Sequence, residues 1–376
     1  MSLILNIARE DFLSALSSMQ NVTGKPGTIA ILSNILLRSQ KDLLELTGTD
    51  LEVGIHQTIP AEILSQGSIT LPSKKLFEIV RESSSEHIHL EEIENNWVKI
   101  TADSSNYNLA GMASDEFPSF PEHKAESLIE IDADDIKDLI EKTIFSVASD
   151  TESNFTLTGI LVEKEIKEDK KYFRMVSSDG HRLSLMKKEV KGDISLFNLD
   201  KTTIIPRKGV QEIKKFCEHH KNLFIGFEEK QAVIKGDHAI LIIRLMNGDF
   251  PDFRNLLQII NREKFIEINR VVLLNAMRRM NLFTEDRFNV VKCHIENNEM
   301  TLSSQSMDLG SAKEVHHVKY SEDSIKLGFN GKYFIETLQV MTCENVKLFI
   351  EGKDRPCLVY SENEPDFISI IMPMEI

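Results

Sequence analysis

The chain has 376 residues, 41% hydrophobic and 27% charged, which is the composition of a folded protein long enough for two or three domains. Its formal net charge of −15 excludes a uniformly basic coat for nucleic acid and leaves only local positive patches for phosphate contact. The four cysteines, Cys217, Cys293, Cys343 and Cys357, form no C-x-x-C pair, which argues against a zinc ribbon or dithiol site and suits a reducing cytoplasm. The start, MSLILNIARE, does not read as a signal peptide, and no apolar run approaches the ~20 residues of a membrane span.

In chain order the predicted elements form a series that returns twice. Residues 8–22 read as an amphipathic helix, with Phe12, Leu13, Leu16 and Met19 on the 3.6-residue period. A strand and polar turn follow at 44–52 (LELTGTDLE). A strand–turn–helix unit starts at Ser68, and its helix, 73–82, carries Leu76, Phe77 and Val80. An alternating strand lies at 97–101, and the motif EFPSFP begins at Glu116.

The series restarts with a helix over 132–148 (Ile136, Leu139, Ile140, Ile144, Val147), capped by Asp132 and Asp134. Its strand and turn are 174–183 (RMVSSDGHRL). Its second helix, 206–221, carries Val210, Ile213, Phe216 and Cys217, short strands fall at 223–227 and 232–235, and DFPDFR begins at Asp249. The third copy has a helix over 269–283 (Leu273, Ala276, Met277, Met280), the turn MTLSSQSMDL at 300–309, a helix over 330–342 and a strand at 347–350. It ends on MPMEI, where the next Phe-Pro element would fall. A repeat of about 125 residues is too long for a solenoid unit and points to duplicated domains. The expectation is three α+β domains, 1–125, 126–262 and 263–376, each with two helices and roughly eight strands.

The chemical motifs are weak. Asp179-Gly180-His181 has two members of a hydrolytic triad, but no G-x-S-x-G elbow accompanies it; it reads as a tight turn with Gly180 at positive φ and Asp179 capping it. His87 and His89, His219 and His220, and His316 and His317 read as solvated, because no third ligand lies beside any pair. Glu91, Glu92 and Glu94 read as a solvated turn. Gly-rich phosphate loops are absent. No enzyme, metal or cofactor is expected.

Charge distribution says more. The helix over 206–221 carries Arg207, Lys208, Lys214, Lys215 and Lys221 against Glu212 and Glu218, and that over 269–283 has Arg270, Arg278 and Arg279 unopposed. The six helices together are slightly basic although the chain is acidic, so a surface built from them could face phosphates. At the other end, Ile368, Ile370 and Ile371 read as a last strand, which Pro373 must stop. Residues 372–376 should lie over a surface, where flexible Met372 and Met374 suit an adaptable peptide-binding groove.

The chain resembles the bacterial DNA polymerase III β subunits, the sliding clamps, over essentially its whole length. The resemblance is carried by Gly24-Lys25-Pro26, Ile31-Leu32-x-Asn34-x-Leu36-Leu37, Leu46-Thr47-Gly48-Thr49-Asp50-Leu51-Glu52, Phe117-Pro118, Ser178-Asp179-Gly180-His181-Arg182-Leu183, Ile205-Pro206-Arg207-Lys208-Gly209, Phe250-Pro251-Asp252, Cys343-Glu344-Asn345-Val346 and Met372-Pro373-Met374.

It implies the DNA-clamp fold, with helices lining a bore and sheets outside, and a head-to-tail homodimer that encircles double-stranded DNA without reading sequence. Replicative polymerase, clamp loader and other clients are implied partners through short hydrophobic peptide motifs, in the cytoplasm and without a membrane. Twelve helices spaced ~9 Å apart give a circle about 35 Å across between axes, and a bore of about 25 Å.

Matched residue by residue, Lys25, Lys74 and Arg207 face DNA. The client pocket is Leu157, Ser178, Gly180, His181, Arg182, Leu183, Pro251, Leu256, Ile370, Ile371, Met372, Pro373 and Met374, with His181 and Arg182 at its polar edge. Tyr107 meets Leu282 and Phe283 at the dimer contact. Asn255 and Glu375 stand where basic residues are common in the family, and Phe155-Thr156 where a tyrosine pair is. Two other readings compete: a peptide-binding adaptor of the same repeated fold that does not encircle DNA, and a hydrolase using His181, for which the sequence offers no nucleophile.

Overall fold

Strands that alternate buried and exposed side chains, such as Ile129–Asp132 and Val290–Glu296, build four antiparallel sheets, and the helices close over their apolar faces. The computed structural model describes residues 2–24, 29–123, 127–149, 155–200, 202–228, 230–284, 289–320 and 322–375. These form two compact units. The first is Met1–Ile136, Lys191–Asn198 and Lys208–Leu245; the second is Lys137–Val190, Leu199–Arg207 and Met246–Ile376. No helix among the described residues is long and apolar enough to cross a membrane.

In the first unit a five-stranded sheet runs in the order Glu62–Ser65, Ile4–Ala8, His87–Glu92, Trp97–Ala102, Ser105–Ala110. A nine-stranded sheet runs Met112–Ala113, Ser68–Pro72, Asn34–Gln40, Leu43–Thr49, Val53–Pro60, Ala239–Arg244, Gln231–Lys235, Asn222–Phe227, Ile129–Asp132. The join between Val53–Pro60 and Ala239–Arg244 carries this sheet across the expected domain limit near 125. Helices α1 (Arg9–Met19) and α2 (Ser73–Glu82) pack on each other, with Phe12, Leu16, Met19, Leu76 and Val80 fully buried. Each such side chain contributes about 1.5–3 kcal/mol. Helix α3 (Ala133–Glu141) starts in this unit, and all but the first residue of α4 (Arg207–His219) belongs to it.

In the second unit an eight-stranded sheet runs Ile204–Pro206, Gly159–Lys167, Lys170–Ser178, Arg182–Glu189, Phe367–Ile371, Cys357–Tyr360, Asn345–Phe349, Ile266–Asn269. A four-stranded sheet runs Gly310–His317, Glu299–Ser306, Val290–Glu296, Ile325–Asn330. The short helix α5 (Arg254–Gln258) precedes α6 (Arg270–Asn281) and α7 (Gly331–Val340), and α6 packs on α7.

The threefold repeat is written in the backbone. The first residue of the first helix of each copy donates its N–H to a carbonyl just beyond the second helix: Arg9 to Glu86, Ala133 to Lys221 and Arg270 to Glu344, each at 2.9 Å.

Several expectations change. The helix expected over 132–148 ends at Glu141: the Thr143 hydroxyl donates to the Leu139 carbonyl at 2.6 Å, and residues Ile144–Ser146 form a tighter 3-10 turn. Asp132 does cap it, accepting from the Asp134 N–H at 2.8 Å. His87, His219 and His317 are exposed as expected, but the other member of each pair is only half-exposed. His89 Nδ1 lies 2.7 Å from Asn6 Oδ1, His220 stacks 4.4 Å from Phe216, and His316 sits 3.1 Å from Glu314. Glu92 belongs to a strand and accepts the Leu3 N–H at 2.8 Å.

Candidate functional site

The Asp179-Gly180-His181 segment is a turn whose hydrogen bonds close on themselves. Gly180 has φ +86°, a conformation glycine adopts without the Cβ penalty. Asp179 Oδ1 accepts from the N–H groups of His181 and Arg182, both at 3.0 Å, while Ser178 Oγ donates to the Arg182 carbonyl and accepts from the Gly180 N–H. Both the Ser178 and Asp179 side chains are used in shaping the turn, and His181 is exposed, with no Ser, Thr or Cys hydrogen-bonded to its ring among the described residues.

This turn leads into Arg182–Glu189, which pairs with the final strand so that Leu183 faces Ile370 and Arg182 faces Ile371. The ladder stops at Ile371, as Pro373 requires. Met372 N–H reaches the His181 carbonyl at 2.9 Å, and Met374 N–H bridges to the Gly328 carbonyl at 2.8 Å. The tail therefore lies across the second unit's own surface.

Beneath it Leu157, Leu183 and Ile370 share one apolar cluster, and Leu256 packs against that cluster from α5. The thirteen expected pocket residues thus sort into a floor and a rim. Leu157, Leu183, Ile370 and Ile371 are buried; Ser178, Leu256, Met372, Pro373 and Met374 are half-buried; Gly180, His181 and Pro251 are exposed.

Arg182 departs from the expected polar edge. It is only 8% exposed, and its guanidinium faces inward. Nε donates to Asp179 at 2.9 Å, Nη2 to the Phe145 carbonyl at 2.6 Å and Nη1 to Glu336, while the Tyr333 ring stacks 4.3 Å away. All three guanidinium nitrogens face protein, so Arg182 pins the turn to α7 and presents no charge to a ligand. Sequence reasoning did not place Met246, Phe250, Phe253 and Phe349 in the pocket, although they belong to the same cluster. The two phenylalanines of DFPDFR were the available signal, and they flank Pro251.

The basic helix faces are also partly neutralised. Arg270 caps the C-terminal end of α7 through the carbonyls of Leu338 and Cys343, and Arg279 is bidentate to Glu314 at 2.6 and 2.9 Å. Lys75 pairs with Glu78, Lys215 with Glu212, and Lys208 with Asp50. Among the described residues Lys74, exposed on α2, and Arg207, half-buried at the start of α4, have no carboxylate within ion-pair distance. Lys25 lies outside the described residues.

Leu282 is 69% exposed at the end of α6, and the Phe283 ring lies 4.0 Å from the position of a Gly310 Cβ. Tyr107, 37% exposed, stands on the edge strand Ser105–Ala110 of the first unit. The four cysteines are free and buried, and burial pushes the Cys293 thiol up to about 12. No group of three or more His, Cys, Asp or Glu able to hold a metal occurs among the described residues.

Three copies of one α+β plan, joined by continuous sheets within each unit and carrying an apolar groove at a sheet end, define a duplicated clamp-type protein. Comparison with known proteins gives its family. Profiles of the DNA polymerase III β subunit match in order: the N-terminal domain at residues 3–121, the central domain at 130–252 and the C-terminal domain at 260–375.

The β sliding clamp of Chlamydia muridarum is 27% identical over 372 residues, covering 98% of both chains, and that of Buchnera aphidicola is 29% identical over 363 residues, covering 95% of both. The solved C. crescentus β sliding clamp superposes with a TM-score of 0.93 at 27% identity, covering 100% of this chain and 99% of that one. A Bartonella birtlesii sliding clamp bound to griselimycin gives 0.92 at 24% identity, covering 100% of both chains, a likeness of fold. The chain belongs to the DNA polymerase III β-subunit family, and its role is that of a DNA sliding clamp.

Proposed function

We propose that two copies join head to tail into a closed ring around duplex DNA, with three domains per chain bounded at 1–125, 126–262 and 263–376. The observation that carries this reading is an open sheet edge in each unit: Ser105–Ala110 ends the five-stranded sheet and Gly310–His317 ends the four-stranded one. Unpaired strand edges are templates for a further chain. Tyr107 on one edge, and Leu282 and Phe283 beside the other, supply apolar cover for a contact between copies.

Within the ring, Lys25, Lys74 and Arg207 face phosphates and give weak, sequence-independent attraction that lets the ring slide. The groove of the second unit, from Leu157 to Met374, takes short hydrophobic client peptides, and so raises the local concentration of polymerase, clamp loader and other clients. The C. crescentus relative, solved with a polyethylene glycol chain on a proposed β-motif tethering region, supports a groove for an extended ligand. The role needs topology and tethering and no catalytic step, and the protein works in the cytoplasm. The test is retention on nicked circular DNA against the same DNA linearised. A ring persists on the circle and slides off the ends; equal retention on both overturns encirclement and leaves the peptide adaptor.

A further inference from the structure

The repeat builds a second groove, wholly inside the first unit. Its turn, 49–53, uses the hydrogen bonds of 178–182: Asp50 Oδ1 accepts from the N–H groups of Glu52 and Val53, and Thr49 Oγ1 bonds the Leu51 N–H and the Val53 carbonyl. The strand after the turn pairs in the same register, Val53 facing Ile243 and Gly54 facing Ile242. The strand exit repeats as well: Arg244 N–H donates to the Glu52 carbonyl at 2.8 Å, as Met372 N–H does to His181. Pro118 and Phe120 stand in the Phe-Pro motif where Pro251 and Phe253 stand in its second copy. Between these segments lies a cavity of about 260 Å³.

Two substitutions within this shared frame set its chemistry. Leu51 occupies the tip that Gly180 occupies in the other turn, and it is 52% exposed at the mouth of the cavity. Arg244 occupies the position of Met372. It is exposed, as is Lys230 beside it, and neither has a carboxylate within ion-pair distance among the described residues; Glu52 is the acidic side chain of the lining.

We propose that this groove docks a short extended segment of a protein partner that carries an apolar anchor beside a carboxylate. The anchor covers Leu51 and enters between Pro118 and Phe120, and the carboxylate meets Arg244 and Lys230. Arginine suits this task because its planar fork holds a carboxylate in two hydrogen bonds. The groove thus selects against a basic segment as well as for an acidic one. The ligand class rests on the client-groove reading, whereas the charge preference rests on Arg244 and Lys230.

Two fluorescein-labelled peptides test this by anisotropy, Glu-Glu-Leu-Phe and Lys-Lys-Leu-Phe, on the full chain and on a variant lacking residues 372–376. Should that deletion unfold the protein by circular dichroism, Met372→Ser with Met374→Ser replaces it. The acidic peptide should bind the tail variant about tenfold tighter than the basic one, a 1.4 kcal/mol preference. Arg244→Glu with Lys230→Glu should reverse that order, and Leu51→Ser should weaken the acidic peptide about tenfold.

Equal binding of the two peptides to the tail variant, or loss of all binding with the tail, overturns the proposal. A doubled mass by light scattering that Leu51→Ser abolishes assigns the groove to a second copy and also overturns it. Failure of the client reading looks different: an uncharged Leu-Phe peptide then binds the chain equally with and without its tail.

Discussion

At residues 49–53 and 178–182 the backbone follows one path, while the side chains that secure it come from different places. Each turn closes on a Ser or Thr followed by Asp, with matched hydrogen bonds. In the first unit the free oxygen of Asp50 meets Lys208 from α4, and Val53 enters the core at 1% exposure. In the second, Asp179 turns to Arg182 three residues on, and that buried guanidinium continues to Glu336 on α7 and the Phe145 carbonyl. A local scheme can be duplicated intact while its tertiary anchor is replaced, because the backbone bonds depend on residues two to four apart and the anchor does not.

The largest expected effect separates the two anchors. Arg182→Ala removes the buried cation of this network, leaving Asp179 with its backbone donors alone and Glu336 with Lys332 at 3.9 Å, at a cost of about 3 kcal/mol. Val53→Ala at the matched position leaves a small cavity, with a cost of about 2 kcal/mol. Urea unfolding followed by far-UV circular dichroism measures both. Equal losses would mean that Arg182 acts as ordinary packing.

Acid should divide the units next. In the second, burial alone pushes the Glu364 carboxyl up, but hydrogen bonds from Lys142 and Thr342 outweigh it and hold the group below its usual value of 4.5. That stabilisation is complete above pH 4.5 and is lost as pH falls through the lowered folded value. In the first unit burial lowers His56, against the opposing charge of Glu45. Its ring is held by Thr47 at 3.0 Å and lies 5.5 Å from Phe120. The unfolded chain takes up this proton first, so stability falls as pH drops below 6.5. His56→Leu, which copies Leu185 at the matched strand position of the second unit, should reduce the slope just below pH 6.5, where His220, also lowered by burial, carries the remainder, and leave the slope below pH 4.5. A single slope unaffected by either His56→Leu or Glu364→Gln would refute the division.

These contrasts mark what the sequence could convey. The buried faces of α1, α2, α4 and α6 were legible because one helix face repeats every 3.6 residues, and so was the 178–182 turn, because Asp followed by Gly has a local reason to bend. The partner of Lys208 lies 158 positions away and that of Arg182 lies 154 positions away, and no local pattern carries such a pairing. For the same reason the arginines of α6 looked unopposed, although Arg270 caps α7 and Arg279 meets Glu314. The groove floor was half legible: its tail and turn stand out as motifs, whereas Met246 and Phe349 join it only through sheet pairing and packing.

A smaller effect attaches to Lys208→Ala. The lysine side chain is 39% exposed, so solvent screens its pair with Asp50, and the loss should be about 1 kcal/mol or less. Its salt dependence sharpens the contrast: the difference between variant and parent should shrink in high salt for Lys208→Ala and persist for Arg182→Ala, whose guanidinium is buried. Equal shrinkage in both would place Arg182 in solvent.

The tips of the two turns give the smallest effect and the finest test. Gly180 has φ +86°, and nothing lies within 4 Å of where a Cβ would stand, so Gly180→Ala meets backbone strain without a clash and should cost about 1 kcal/mol. Leu51 already bears that strain at φ +74°. Leu51→Gly relieves it but gives the unfolded chain more freedom, and these contributions, each about 1 kcal/mol, nearly cancel. The exposed half of Leu51 adds nothing to stability unless another molecule covers it. Leu51→Gly should therefore leave the urea midpoint within error while weakening the acidic peptide. A clear loss of stability would show instead that Leu51 is already satisfied by its own unit, and the first groove would lose its reason to dock a partner.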